Sequence, residues 1–216
     1  ALDATPQRNL ELTETMSGDG SGSLVDAVDH PGTAAGGRLL REWIRRPRRD
    51  RAELRRRQGA VGALAEAAMA REELREVLGD AYDLARLASR SVSGSADPRD
   101  LRAVARTLEL VESAAAAIGR SDRLADSPLA AVLDRVDREA TARLATTLDE
   151  ALVAEPPGTV TEGGILARGY DEELDGLIED HEAALEWIEA LPDREKRRTG
   201  ITHLTVDRNK TDGYYI

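Results

Sequence analysis

The sequence predicts an all-α protein in the main: a multi-helix core, then one long helix leading to a short β-hairpin. Three observations predict it. With no Phe, two Trp and four Tyr among 216 residues, the 41% hydrophobic content is mostly Leu, Val, Ile and Ala. Ala and Leu are strong helix formers, so such a core favours helices over strands. Apolar residues recur at steps of three, four and seven over most of the chain, the period of a helix with one apolar stripe. Only at the end does the period change to two. There Leu204 and Val206 alternate with His203, Thr205 and Asp207, Asp212-Gly213 is a turn signal, and Tyr214-Tyr215-Ile216 follows.

In chain order, Leu10-Glu11-Leu12-Thr13 alternates and suits an edge strand. Ser17 to Ser23 is a Gly/Ser loop; without a following Lys-Ser/Thr it is a linker and not a phosphate loop. Ser23 caps Leu24 to Val28, and Thr33 starts a helix carrying Leu39, Leu40, Trp43 and Ile44 that Pro47 stops. Helical periodicity returns over Leu54 to Ala68, Glu72 to Leu78 and Asp83 to Val92. From Asp97 to Ile118 it is clearest: Asp97 caps, Pro98 takes the first helical position, and Gly119 stops the run. Pro128 to Val136 and Ala140 to Val153 complete a string of roughly seven helices with no fixed-period repeat.

The chain then passes through Pro156-Pro157, Gly163-Gly164 and Gly169, which mark turns. From Tyr170, the residues Leu174, Leu177, Ile178, Leu185, Ile188 and Leu191 fall on one stripe. Asp171, Glu172 and Glu173 fill the first turn, where the helix dipole favours acids. A continuous helix from Tyr170 to Leu191 spans about 33 Å at about 1.5 Å per residue. A narrowly striped rod between a helical trunk and a β element reads as a lever.

Net charge is −11, and of 30 basic residues only Lys196 and Lys210 are lysine. An acid-rich, lysine-poor surface suits a salt-loaded cytoplasm, where a Debye length of about 3 Å at 1 M leaves only local contacts. Residues 38–57 run against the trend, with ten Arg against Glu42, Asp50 and Glu53. They form either a phosphate-binding face or a solvated helix junction whose arginines pair with nearby acids. The absence of interleaved aromatics favours the junction. No apolar run reaches the roughly 20 residues that cross a bilayer, no secretory leader is visible, and no cysteine offers a disulfide or thiolate site. Cytoplasmic residence and no membrane partner are expected. The start at Ala1 and a second strand ending after three residues suggest an excised piece.

No catalytic constellation emerges. His30, His181 and His203 sit on different elements, which argues against a metal site. The acids Asp171, Glu172, Glu173 and Asp175 diverge around a helix and do not face one another as a catalytic pair. No phosphate loop, dinucleotide fingerprint or His-Glu-x-x-His is present. Asn209-Lys210-Thr211 matches a glycosylation sequon without meaning in a cytoplasmic protein. At a hairpin tip, Asn209 and Lys210 suit a phosphate backbone read without regard to sequence.

Several landmarks resemble one family in order along the chain. Leu2-Asp3-Ala4-Thr5 with Asn9-Leu10-Glu11-Leu12 resembles the start of the core domain of MutS, the DNA mismatch-recognition ATPase. Gly37-Arg38-Leu39-Leu40-Arg41-Glu42-Trp43-Ile44 with Pro47 looks like the next landmark, then Asp83 to Leu87 and Pro98-Arg99-Asp100-Leu101. The strongest stretch is Pro156-Pro157, Gly163-Gly164-Ile165, Gly169 to Asp175, Arg198-Thr199-Gly200-Ile201, and Asn209-Lys210 before Gly213-Tyr214-Tyr215-Ile216.

The resemblance implies a helical core and lever domain over residues 1–195 and the beginning of a β-rich DNA clamp over 196–216. It implies backbone contacts from Arg208, Asn209 and Lys210. The stretch itself would have no catalytic, cofactor-binding or metal residues and would hydrolyse nothing. The intact parent would use ATP and magnesium, act as a homodimer on mismatched double-stranded DNA, and meet a MutL-type partner. Alternatives are a MutS paralogue acting on branched or recombination DNA, and a free-standing helical adaptor that binds protein partners. Pro192 departs from the family pattern, because proline inside a helix kinks it or starts a fresh turn. Asp207 and Asp212 flank the hairpin with more negative charge than a phosphate contact favours.

Overall fold

The computed structural model describes residues 3–209 and 213–215. The chain divides into two compact units, Ala1–Ile165 and Leu166–Ile216. The first is helical. It comprises α1 (Ala4–Asn9), α2 (Leu24–Val28), α3 (Ala34–Arg45), α4 (Arg51–Glu66), α5 (Ala68–Gly79), α6 (Leu84–Val92), α7 (Pro98–Gly119), α8 (Asp122–Ala125), α9 (Ala130–Leu133) and α10 (Arg138–Ala151). The second holds α11 (Glu172–Thr199) and the strands β1 (Asp207–Asn209) and β2 (Gly213–Tyr215). A mainly α architecture ending in a two-stranded hairpin is the predicted class.

The first unit is built around α7, against which α5, α6, α8, α9 and α10 pack. Small residues permit this: Ala105 and Ala117 on α7 are fully buried. Ala63, Leu74, Ala117, Ile118 and Leu124 form a buried cluster, with Leu64, Ala67, Ala70, Leu129 and Leu133 around it. On α4, a Cβ at Gly59 would lie 3.2 Å from Pro128 Cγ, so the glycine admits a close approach there.

Capping side chains set many of the helix starts. Ser23 accepts from the Asp26 amide, Thr33 from Gly36, Asp50 from Glu53, Asp83 from Arg86 and Asp137 from Ala140. Asp97 and Asp100 make a reciprocal capping box at α7, and Arg90 Nη1 donates to Asp100 at 2.9 Å. The end of α6 is thereby fastened to the start of α7. Arg71 Nη1 on α5 donates to the Leu64 and Ala65 carbonyls at 2.9 and 3.1 Å, satisfying acceptors near the end of α4.

Four local expectations are corrected. Leu10 to Thr13 is not a strand: α1 closes through Leu10 N–H donating to Pro6 O, and Glu11 takes φ 49°. The Glu11 and Leu12 carbonyls, which a strand would offer to a neighbour, accept from the Leu24 and Val25 amides of α2. Within Pro128 to Val136 only Ala130–Leu133 is helical, and the short α8 ahead of it carries no periodicity to betray it. Pairing in the hairpin begins at Asp207 and not at His203. Finally, α11 runs through Pro192 as one 28-residue helix to Thr199. At about 1.5 Å per residue that is about 42 Å of rod.

Candidate nucleic-acid interface

The hairpin is the first candidate. β1 and β2 run antiparallel, with Asp207 opposite Tyr215, Arg208 opposite Tyr214 and Asn209 opposite Gly213. Arg208 and Tyr214 share a cross-strand position, and the guanidinium lies over the ring, 5.4 Å from its centroid. The ring holds the cation without occupying its hydrogen-bond donors; among the described residues no side-chain acceptor bonds to it. Asp207 accepts from the Arg208 amide at 2.7 Å and from Tyr215 Oη at 3.3 Å. Both strands are solvent-accessible, and Asn209 sits at the end of β1. Lys210 and Asp212 lie outside the described residues. The sequence reading missed the Tyr214 platform, which only the register reveals.

The hairpin follows a helix whose two ends are well defined. Asp171 accepts from the Leu174 amide at 2.9 Å, with Glu172, Glu173 and Asp175 in the first turn. Just before it, Gly169 N–H donates to Asp175 at 2.6 Å and Arg168 Nη2 to Glu182 at 2.7 Å. Lys196, Arg197 and Arg198 fill the last turn, as the negative end of the dipole favours. Gly200 then turns left-handed at φ 76°, donating its N–H to Lys196 O. No residue of α11 is buried, and Leu177 and Trp187 on it are more than half exposed.

The arginine-rich stretch of residues 38–57 spans α3, an extended link and the start of α4. The expectation that its arginines pair with acids holds for four. Arg38 pairs with Asp83, Arg41 with Asp29 at 2.5 Å, and Arg56 and Arg57 share Glu53 at 2.7 Å each. Those two hydrogen bonds, Arg56 first, hold the Glu53 carboxyl below its ordinary pKa. Arg57 also lies over the Trp43 ring, 3.7 Å from its centroid. Arg45, Arg46, Arg48, Arg49, Arg51 and Arg55 are exposed and make no side-chain hydrogen bond or ion pair with any described residue. Among the described residues no cluster of His, Asp or Glu is arranged to hold a metal ion, and no helix is long and apolar enough to cross a membrane.

Comparison with known proteins points to one family. The family profile of MutS domain III matches residues 6–203. The whole chain is 68% identical to part of a protein named DNA mismatch repair protein MutS 1 from Haloarcula marismortui, covering 23% of that protein. It is 58% identical to the protein of the same name from Halobacterium salinarum, covering 25% of it. It is 41% identical to DNA mismatch repair protein MutS from a Synechococcus, covering 24%. The chain thus spans about a quarter of the length of these curated relatives. The haloarchaeal names accord with the salt-adapted composition.

Proposed function

The chain belongs to the MutS family, as its domain III, and from that premise we propose that it is the lever of a DNA mismatch repair protein. In this reading α11 is a rigid rod that conveys the nucleotide state of an ATPase elsewhere in the parent to a DNA-gripping β element. Residues 1–195 are core and lever, and residues from 196 begin the clamp; the left-handed Gly200 supports a boundary near there by ending the rod. Arg208, Asn209 and Lys210 meet the phosphate backbone without reading sequence. The carrying observation is the single helix from Glu172 to Thr199 with the exposed Arg208–Tyr214 pair on the hairpin that comes next in the chain.

In the parent, ATP and magnesium bind outside this stretch, mismatched duplex is the substrate, and a homodimer works with a MutL-type partner in the cytoplasm. This stretch hydrolyses no ATP. The test uses the 216-residue chain. Weak, salt-sensitive duplex binding that drops when Arg208 is replaced by Gln, with no ATP turnover after repurification, is the expected result. Tight binding with a preference for a mismatch, or turnover that survives repurification, would overturn the reading.

A further inference from the structure

We propose that the exposed arginines of the α3–α4 junction form a second phosphate-binding face, distinct from the hairpin, that takes the backbone of duplex DNA. The argument starts from a charge imbalance that the fold does not resolve. The chain carries 41 acids against 30 Arg and Lys, yet six guanidiniums within eleven residues lack a partner among the described residues. The nearby acids are committed elsewhere: Asp29 to Arg41, Asp83 to Arg38, and Glu53 to Arg56 and Arg57. Asp50 caps α4 by accepting from the Glu53 amide at 2.9 Å. Only Glu42 is left beside the run. Arg45 has a structural reason to be there, since the last turn of α3 favours a cation. Arg46, the C-cap of that helix, shares the reason; Arg48, Arg49, Arg51 and Arg55 have none among the described residues, and an anion from outside relieves their mutual repulsion.

The residues also select the kind of anion. Guanidinium forks match phosphate oxygens with two donors at a time, which suits a contact made at short range in strong salt. Single strands are disfavoured, because Trp43 is the one aromatic in residues 38–57 and Arg57 already lies over its ring, 3.7 Å from the centroid. An acidic protein is disfavoured as well. Protein interfaces centre on buried apolar anchors, and between Arg45 and Arg51 the one apolar side chain is Pro47. Backbone phosphate needs neither.

The proposal shares with the preceding section the premise that the chain works on DNA, but not its residues, so the two fail separately. The 216-residue chain is titrated with a fully paired, labelled duplex between about 0.2 and 1 M salt. The variants are R46Q/R48Q/R49Q, R46K/R48K/R49K and R208Q, each checked for helix content by circular dichroism. The triple Gln variant is expected to bind about tenfold more weakly or worse, with its log–log salt slope shallower by roughly 2 to 3. The triple Lys variant keeps the slope, and R208Q lowers it by about 1. If R208Q alone changes nothing, the hairpin contact fails and this face stands. Parental affinity and slope in the triple Gln variant overturn this face, as does a parent that binds no duplex. Displacement of the duplex by poly-glutamate at equal charge also overturns it, in favour of an acidic protein. Should the triple Gln variant lose its helix content, R49Q alone decides: a slope change of about 1 supports the face and no change overturns it.

Discussion

Arg38 and Asp83 meet across 45 residues of sequence as a two-pronged ion pair, with Arg38 Nη2 donating to Asp83 Oδ1 at 2.8 Å and Nη1 donating to Oδ2. The same carboxylate accepts the Arg86 amide at 3.1 Å and so caps α6. One side chain therefore fastens α3 to the start of another helix. The Arg38 hydrogen bond, then the Arg86 amide, hold the Asp83 carboxyl below its usual pKa. Arg138 does the same to Glu112, and Arg56 and Arg57 to Glu53.

These three depressed carboxylates fix the sign of the pH dependence. A group that binds protons less readily when folded stabilises above its unfolded pKa and loses that contribution as pH falls through its lower folded value. The melting temperature is expected to be level from neutrality down to about 5 and to fall below about 4, where unfolded Asp and Glu begin to take up protons. A melting temperature that rises on acidification through that window would contradict the three pairs.

Asp83→Asn separates the ion pair from the cap. Asparagine caps helices as well as aspartate does, so α6 keeps its start while the charge is lost. The variant is expected to melt lower than the parent at neutral pH and to converge on it in acid. Parallel curves at all pH values would show that the pair adds nothing to stability.

Among the described residues Leu124 is the largest fully buried apolar side chain, sealed among Ala63, Leu74, Ala117 and Ile118. Leu124→Ala should cost about 2 to 5 kcal/mol by denaturant unfolding, since small neighbours on rigid helices collapse poorly into the space. Met69 is 90% exposed, and Met69→Ala should stay within about 0.5 kcal/mol. Similar losses at both positions would mean that the core is not built around Leu124.

The helices carried by strong stripes and caps were legible in the sequence. Ser23, Thr33 and Asp97 marked real starts, and the run from Asp97 to Ile118 is α7 almost to the residue. What escaped has identifiable causes. A four-residue alternation at Leu10 to Thr13 is too short to outweigh a helix end whose carbonyls are claimed by α2. The short α8 offers less than two turns of pattern. At the candidate interface, Arg208 was visible as a residue type, but its Tyr214 support depends on strand register. Which arginines of 38–57 find acids depends on Asp83 and Asp29, brought near only by folding.

Gly200 ends α11 at φ 76°, in the left-handed region where a Cβ strains the backbone. A Cβ there meets nothing within 4 Å, so the cost of Gly200→Ala is conformational alone. It should be about 1 to 2 kcal/mol. The expected reading is faster amide exchange in the last turn of α11 with the first unit unchanged. Unaltered exchange at Lys196 to Gly200 would deny the glycine its terminating role.

Pro192 poses the sharper question about the rod. It has no N–H to return to the Ile188 carbonyl, and a proline in a helix interior costs about 3 kcal/mol or more. Yet α11 continues beyond it, with Arg197 Nε donating to Asp193 O at 3.1 Å, Thr199 Oγ1 to Glu195 O at 2.7 Å and Arg198 Nε to Glu195 at 2.7 Å. These side chains brace the turns after the missing bond. Pro192→Ala should restore the bond and slow amide exchange from Ile188 to Lys196, by up to about a hundredfold for a gain approaching 3 kcal/mol. If exchange there is unchanged, Pro192 behaves as the first residue of a separate helix, a position where proline lacks nothing the helix needs. The rod would then be two segments with a joint between Leu191 and Pro192, and the lever proposed for it would bend where the proline stands.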